Sequence, residues 1–209
     1  MPPRSWRAAP GGGDIRWMGG ARLSAMNEAE TGGSRRRWGW RVDRTWEGAS
    51  LDEEQISLVT LAFRGAVAEI MVDAPYHGDP APGSPQGRCE GLWNHEVVEF
   101  FMCGDDERYV EVECGPHGHF LVLELHGSRN LVRDDVPVVD YASSIDGGRW
   151  QATLQVEMCW LPPGIRVANA YRIAGQGEAR SYAAAFPGSG APDFHRLELF
   201  RPLSEAAVD

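Results

Sequence analysis

Lysine is absent from this chain of 209 residues; all 20 basic side chains are arginine. That excludes chemistry built on a lysine amine, such as a Schiff base. No apolar run reaches the roughly 18 residues of a spanning helix, so no membrane partner is expected. The four cysteines, Cys89, Cys103, Cys114 and Cys159, form neither a CxxC pair nor a zinc knuckle. No apolar signal-peptide core opens the sequence, so reduced thiols in a cytoplasmic protein are expected. A Cys103–Cys114 disulfide across a hairpin is the alternative. No P-loop or GxGxxG opens a helix, and Gly188-Ser189-Gly190 lacks the strand and helix that frame a GxSxG nucleophile.

Charge is unevenly spread. Net charge is −10. Residues 1–41 hold eight Arg against Asp14, Glu28 and Glu30, a balance of +5. Residues 42–209 hold 12 Arg against 27 acids, a balance of −15. An acidic body repels phosphate backbones, so no nucleic-acid partner is expected.

Residues 1–37 are rich in Gly, Arg and Pro and poor in periodic apolar positions, so a disordered tail is expected there. Its arginine excess admits an organelle-targeting reading, and Met18 or Met26 could equally be the start. From residue 38 to 203, short apolar runs recur between Gly, Pro and Asp. They are Ser57–Arg64, Ala66–Asp73, Glu96–Cys103, Arg108–Cys114, His119–His126, Arg149–Cys159, Val167–Ala174, Ser181–Phe186 and Phe194–Phe200. Arg149–Cys159 is the cleanest, with Trp150, Ala152, Leu154, Val156 and Met158 on one face and polar residues on the other. About nine strands and no convincing amphipathic helix predict an all-β fold, a single antiparallel β-sandwich. Residues 204–209 are expected to be a short tail. Pro75–Gly87, with four prolines, must be an irregular loop.

The segment LWNHEVVEFFMCGDDERYVEVECGPHGHFLVLEL carries Glu96, Glu99, Glu111, Glu113 and Glu124 inside strand-like runs. Strand interiors disfavour that density of charge. A four-residue turn, Gly104–Glu107, pairs Cys103 with Arg108 and sets Glu99 opposite Val112. Glu99 is then a buried carboxylate on the apolar face, neutralised by Arg172 or Arg180 or else holding a ligand. Glu111 and Glu113 fall on a solvated face. A Ca²⁺ site of clustered oxygens is the alternative, although no DxDxDG loop supports it.

His117 and His119 flank Gly118, and His77, His95 and His195 lie in or beside loops. An HxH alone does not specify zinc, and hydrogen-bonding histidines are the default. Trp93 stands beside Asn94, His95 and Glu96, and Trp46, Tyr76, Trp160 and Tyr182 also lie near loops. Flat aromatic faces flanked by hydrogen-bonding groups suit sugar rings; several of these rings instead cap the core.

LWNHEVVEFF, YVEVECGPHGHFLVLELHGSRN, RSYAAAFP and PDFHRLELFRPL resemble, in the same order from about Trp46 to Leu203, the family that includes the chromosome 4 open reading frame 33 protein. More distantly, the blocks at Trp93–Phe101, Tyr109–Gly118, Trp160 and Pro192–His195 are similar to carbohydrate-binding module family 9-like domains. That resemblance implies a β-sandwich with a sugar site at one end or face. Two departures stand out: His95-Glu96 replaces an acidic pair, and a second stacking tryptophan is not identified.

The expected function is therefore a non-catalytic binding module, for a carbohydrate or related polyhydroxyl ligand. Its candidate contacts are Trp93, Glu96, Tyr76, His117, His119 and Trp160, with Asp193 and His195 closing the rim. The rivals are a hydrolase or lyase using Glu96 or Glu111 with His117 or His119, and a protein-interaction domain without a small ligand. No cofactor is expected, Ca²⁺ apart.

Overall fold

A computed structural model describes residues 37–208. The expected N-terminal tail lies outside the described residues except for Arg37, which begins the first strand. The strands, in chain order, are β1 (Arg37–Val42), β2 (Arg44–Thr45), β3 (Ser57–Arg64), β4 (Val67–Pro75), β5 (Gly87–Arg88), β6 (Val97–Cys103), β7 (Arg108–Cys114), β8 (His119–His126), β9 (Leu131–Arg133), β10 (Val138–Asp146), β11 (Arg149–Glu157), β12 (Val167–Ala174), β13 (Ser181–Ala184), β14 (Arg201–Pro202) and β15 (Ala207–Val208). One sheet runs β10-β11-β4-β3-β1-β15. The other runs β2-β13-β12-β6-β7-β8-β5, with β14 beside β12 and β9 beside β8. Every pairing is antiparallel except β5 with β8.

The fold is thus an all-β sandwich, as the alternation of apolar residues predicts. The core between the sheets takes Trp40, Leu61, Ile70, Trp150 and Leu154 from one sheet and Val98, Phe100, Met102, Val110 and Val112 from the other. Burying each such large side chain is worth roughly 1.5–3 kcal/mol.

A second apolar cluster lies on the other face of the β12-β6-β7-β8 sheet. Its outward residues Val97, Phe101, Tyr109, Leu121, Leu125, Tyr171 and Ile173 are covered by Trp46, Leu92, Phe194 and Phe200 from connecting segments. Tyr171 and Phe194 stack face to face, with centroids 4.0 Å apart and planes 4° apart. The backbone at Gly188 presses against the Trp46 ring; a Cβ there would sit 2.5 Å from a ring carbon. Strands β6 and β7 are consequently buried on both sides along almost their whole length.

Four expectations differ from the structure. Phe194–Phe200 is not a strand: it crosses the outer face and holds a 3-10 turn at Leu197–Leu199. Its apolar residues cover a sheet instead of joining one. Cys103 and Cys114 cannot pair, since they stand at opposite ends of the hairpin, opposite Tyr109 and Val98; all four cysteines are free. Among the described residues the strands number fifteen where about nine are expected, because short edge strands and the exposed β10 lack clean alternation. Residues 204–208, read from the sequence as a tail, bury Ala206 and add β15 beside β1. Among the described residues no helix is long and apolar enough to cross a membrane.

Candidate ligand-binding cavity and carboxylate cluster

The loop between β6 and β7 decides what the outer face carries. The connection is three residues, Asp105–Glu107, closed by the Gly104 N–H donating to the Arg108 carbonyl at 2.9 Å. Glu107 has φ of 62°, the left-handed conformation that completes such a three-residue hairpin and is usually given to glycine. Register becomes Cys103↔Tyr109, Phe101↔Glu111 and Glu99↔Glu113. This differs by one residue from a four-residue turn, and a one-residue shift moves a strand's side chains to the opposite face. Glu99 therefore leaves the inner apolar face predicted for it and joins Glu111 and Glu113 on the outer one. Nor is that face solvated: Glu99 and Glu111 are each 3% exposed and Glu113 is 0% exposed.

One oxygen from each of these three carboxylates lies within 4.8 Å of the others. Glu99 Oε1, Glu111 Oε2 and both Glu113 oxygens are buried without a hydrogen-bond partner. No arginine neutralises them directly. Arg172 donates to the Gln55 carbonyl, and Arg180 donates to the carbonyls of Trp93, Asn94 and Gly175. Burial raises all three carboxyls, Glu111 to about 7 and the other two well above the usual range. Glu111 adds to the shift of Glu99, and Glu99 and Glu111 add to that of Glu113, because like charges this close cannot all ionise.

A hydrogen-bonded chain borders the cluster. The Arg129 N–H donates to the Tyr109 hydroxyl at 3.2 Å. The hydroxyl lies 2.7 Å from His195 Nδ1. That oxygen also accepts from Arg129, so the hydroxyl joins the imidazole to the Arg129 backbone. Nε2 is 3.9 Å from Glu111 Oε2, too far for a hydrogen bond. Burial, with the Arg129 charge second, holds the imidazole down at about 4, so it is neutral at pH 7. Asp193 Oδ1 accepts from Arg129 Nη2 at 2.7 Å and from the His195 N–H at 3.1 Å, fixing both.

A cavity of about 490 Å³ opens over this face. Glu99, Glu111 and His195 line it, with Trp93, Arg129, Arg180 and Tyr182 among the other walls. Trp93 belongs to a 3-10 turn, Leu92–Asn94, preceded by Gly91 at φ 74°. The residue is 41% exposed although Leu92 beside it is buried. Arg180 ties the rim together: Nε donates to the Tyr182 hydroxyl at 3.1 Å, and the guanidinium lies 5.7 Å from the Tyr182 ring centre.

The predicted contacts divide into three groups. Trp93 and His195 line the cavity, Asp193 braces it, and Glu99 supplies part of its floor. Tyr76, Glu96, His117 and His119 do not line it; they anchor the proline-rich loop. Glu96, 2% exposed, accepts the N–H of His77 at 2.9 Å and of Asp79 at 3.3 Å. His117 Nε2 lies 3.0 Å from the Asp79 carbonyl, and His119 Nε2 lies 3.0 Å from the Ser84 carbonyl. Tyr76 meets His117 edge-on at 5.8 Å. His117 and His119 also border a more open groove of about 1040 Å³ beside β10. Trp160 stands apart under the Arg133 guanidinium, 4.8 Å away. Arg129 has no counterpart among the sequence candidates; it is a loop residue with no motif around it, placed by its own φ of 60°. The imidazole beside Glu111 is His195, not His117 or His119.

Fold and cavity together define a two-sheet antiparallel sandwich with a ligand-sized hollow on the outer face of one sheet. The same fold appears in a candidate carbohydrate-binding protein from Bacteroides uniformis, with a TM-score of 0.60 and 17% identity over 78% of this chain and 83% of that one. At that identity the likeness establishes the fold alone. No family model matches the chain. It is 34% identical over 175 residues to the UPF0462 protein C4orf33 homolog of Mus musculus, covering 79% of this chain and 90% of that one. The Danio rerio homolog is 33% identical over 178 residues, covering 80% and 89%. The Homo sapiens UPF0462 protein C4orf33 is 34% identical over 176 residues, covering 79% and 87%. The chain belongs to the UPF0462 family.

Proposed function

We propose that the protein is a non-catalytic binding module whose outer-face cavity takes a polyhydroxylated ligand, a carbohydrate or a close chemical relative. The observation that carries this reading is the convergence, on one cavity, of a partly exposed tryptophan with carboxylate oxygens that no donor satisfies. A sugar ring offers what both lack. Its C–H face stacks on Trp93, with Tyr182 at the same cavity, and its hydroxyls donate to Glu99 and Glu111. Arg129 and Arg180 supply donors to ring and hydroxyl oxygens. The fold shared with the Bacteroides uniformis protein supports the same reading. The four free thiols support a reducing compartment, the cytoplasm.

A glycan-array screen of the full chain, with Trp93→Ala in parallel, tests this. Selective binding that disappears in Trp93→Ala is the expected result. Failure to bind any glycan, or binding indifferent to Trp93, overturns it.

A further inference from the structure

We infer that Glu99, Glu111 and Glu113 form a binding site for one hard divalent cation of the Ca²⁺ type at the floor of the cavity. Two independent observations point there. The first is geometric: one oxygen from each residue lies within 4.8 Å of the others. Two oxygens bound to one Ca²⁺ at about 2.3–2.6 Å can stand up to about 5 Å apart, so the three donors can reach a single ion. The second is the state of those oxygens. Glu113 is wholly buried, and although the Trp93 backbone N–H favours its ionised form, neither oxygen has a partner at hydrogen-bond distance and angle; Glu99 Oε1 and Glu111 Oε2 are likewise unsatisfied.

Buried carboxylates elsewhere in this molecule are served differently. Glu96 receives two backbone N–H groups. Glu69 receives the Arg64 guanidinium at 2.8 Å and the Gln155 amide at 3.2 Å. Among the described residues the outer-face cluster alone lacks such partners, and the nearby cations are engaged elsewhere, Arg129 with Asp193 and Arg180 with backbone carbonyls. Burial without a partner makes the ionised form of a carboxylate costly. One cation bridging the three removes that cost for the whole cluster.

The donor set selects the ion class. All three donors are carboxylate oxygens, which suit Ca²⁺, Mg²⁺ or Mn²⁺ over thiolate-seeking metals. Ca²⁺ accepts about 6–8 oxygen ligands in flexible geometry, more than three carboxylates readily fill around one ion. Glu99 and Glu111 line the cavity, which gives the ion access from solvent and leaves its remaining positions facing the cavity. There, adjacent hydroxyls of a ligand complete the coordination. This last step rests on the polyhydroxyl reading of the cavity; the cation site itself does not.

The full chain, stripped with chelator, is titrated with Ca²⁺, Mg²⁺ and Mn²⁺ in sugar-free buffer by calorimetry. Glu113→Gln and Glu99→Gln are run alongside, with the exposed Glu178→Gln as control. Binding of one ion per chain by wild type and Glu178→Gln, reduced at least tenfold in both cluster variants, is expected. Thermal melting of wild type should rise by roughly 5–10 °C at a hundredfold excess over the dissociation constant. Should the cluster variants fail to fold, wild type still decides: Tb³⁺ luminescence sensitised by the protein's aromatics should appear and be displaced by Ca²⁺. Absence of stoichiometric uptake in wild type, or uptake unchanged in both cluster variants, overturns the site and leaves shared protons as what the carboxyls hold. Cation uptake with a silent glycan array would overturn the sugar reading and not the cation site; sugar binding without cation uptake would do the reverse.

Discussion

The two faces of the β6-β7-β8 sheet are built from alternate residues of the same strands and are both largely buried, yet they are not equivalent. The inner face, Val98, Phe100, Met102, Val110, Val112 and Cys114, is apolar throughout and packs on the opposite sheet. The outer face mixes Val97, Phe101 and Tyr109 with three carboxylates that each carry an unsatisfied buried oxygen. Burial alone therefore says nothing of role. On the inner face it is the source of stability. On the outer face it isolates carboxyl groups from water and disfavours their ionised form, an arrangement that opposes folding and that a bound ligand relieves.

Four substitutions would break or sharpen this contrast. The largest effect belongs to the inner face: Phe100→Ala should lose about 3–5 kcal/mol in urea unfolding, because the sheets cannot close the void. A loss confined to about 1 kcal/mol would deny that face its place in the core. On the outer face the sign should reverse. Glu113→Leu should gain about 1–4 kcal/mol in cation-free buffer, since an apolar residue replaces an unsatisfied carboxyl, while uptake of Ca²⁺ is lost. Strong destabilisation there would instead reveal a structural partner. Glu96→Ala offers the internal comparison of two buried glutamates with different surroundings. It should cost about 1–3 kcal/mol, leaving the His77 and Asp79 amides unsatisfied, and hydrogen exchange at those two amides should quicken. The smallest expected effect on stability is Trp93→Ala, within roughly 0.5–1 kcal/mol of wild type, with loss of ligand binding. A larger cost would make Trp93 part of the outer cluster and not a platform.

These contrasts also explain how much could be read from residue order. The strands with regular alternation were legible, since β3, β7, β8 and β12 begin and end where their apolar patterns do. So was the unusual carboxylate density of the hairpin. What residue order concealed was register. The left-handed residue of the β6–β7 loop is Glu107 rather than the glycine that normally signals it, so a three-residue loop looks like a four-residue turn and Glu99 is assigned to the wrong face. β10 escaped notice for another reason: as an edge strand exposed along most of its length, it shows no apolar period. Phe194–Phe200 misled in the opposite sense, because residues that cover a sheet are as apolar as residues within one. Trp93, Asp193 and His195 were recognisable by type. Their meeting with Arg129 and Glu111 depends on long-range closure that no local pattern encodes.

The most direct measurement is anomalous diffraction from crystals of the full chain soaked with Mn²⁺, at an X-ray energy just above the Mn absorption edge. One peak bounded by Glu99, Glu111 and Glu113 at the cavity floor is the predicted result. Well-ordered density for the three carboxylates with no anomalous peak between them would contradict it.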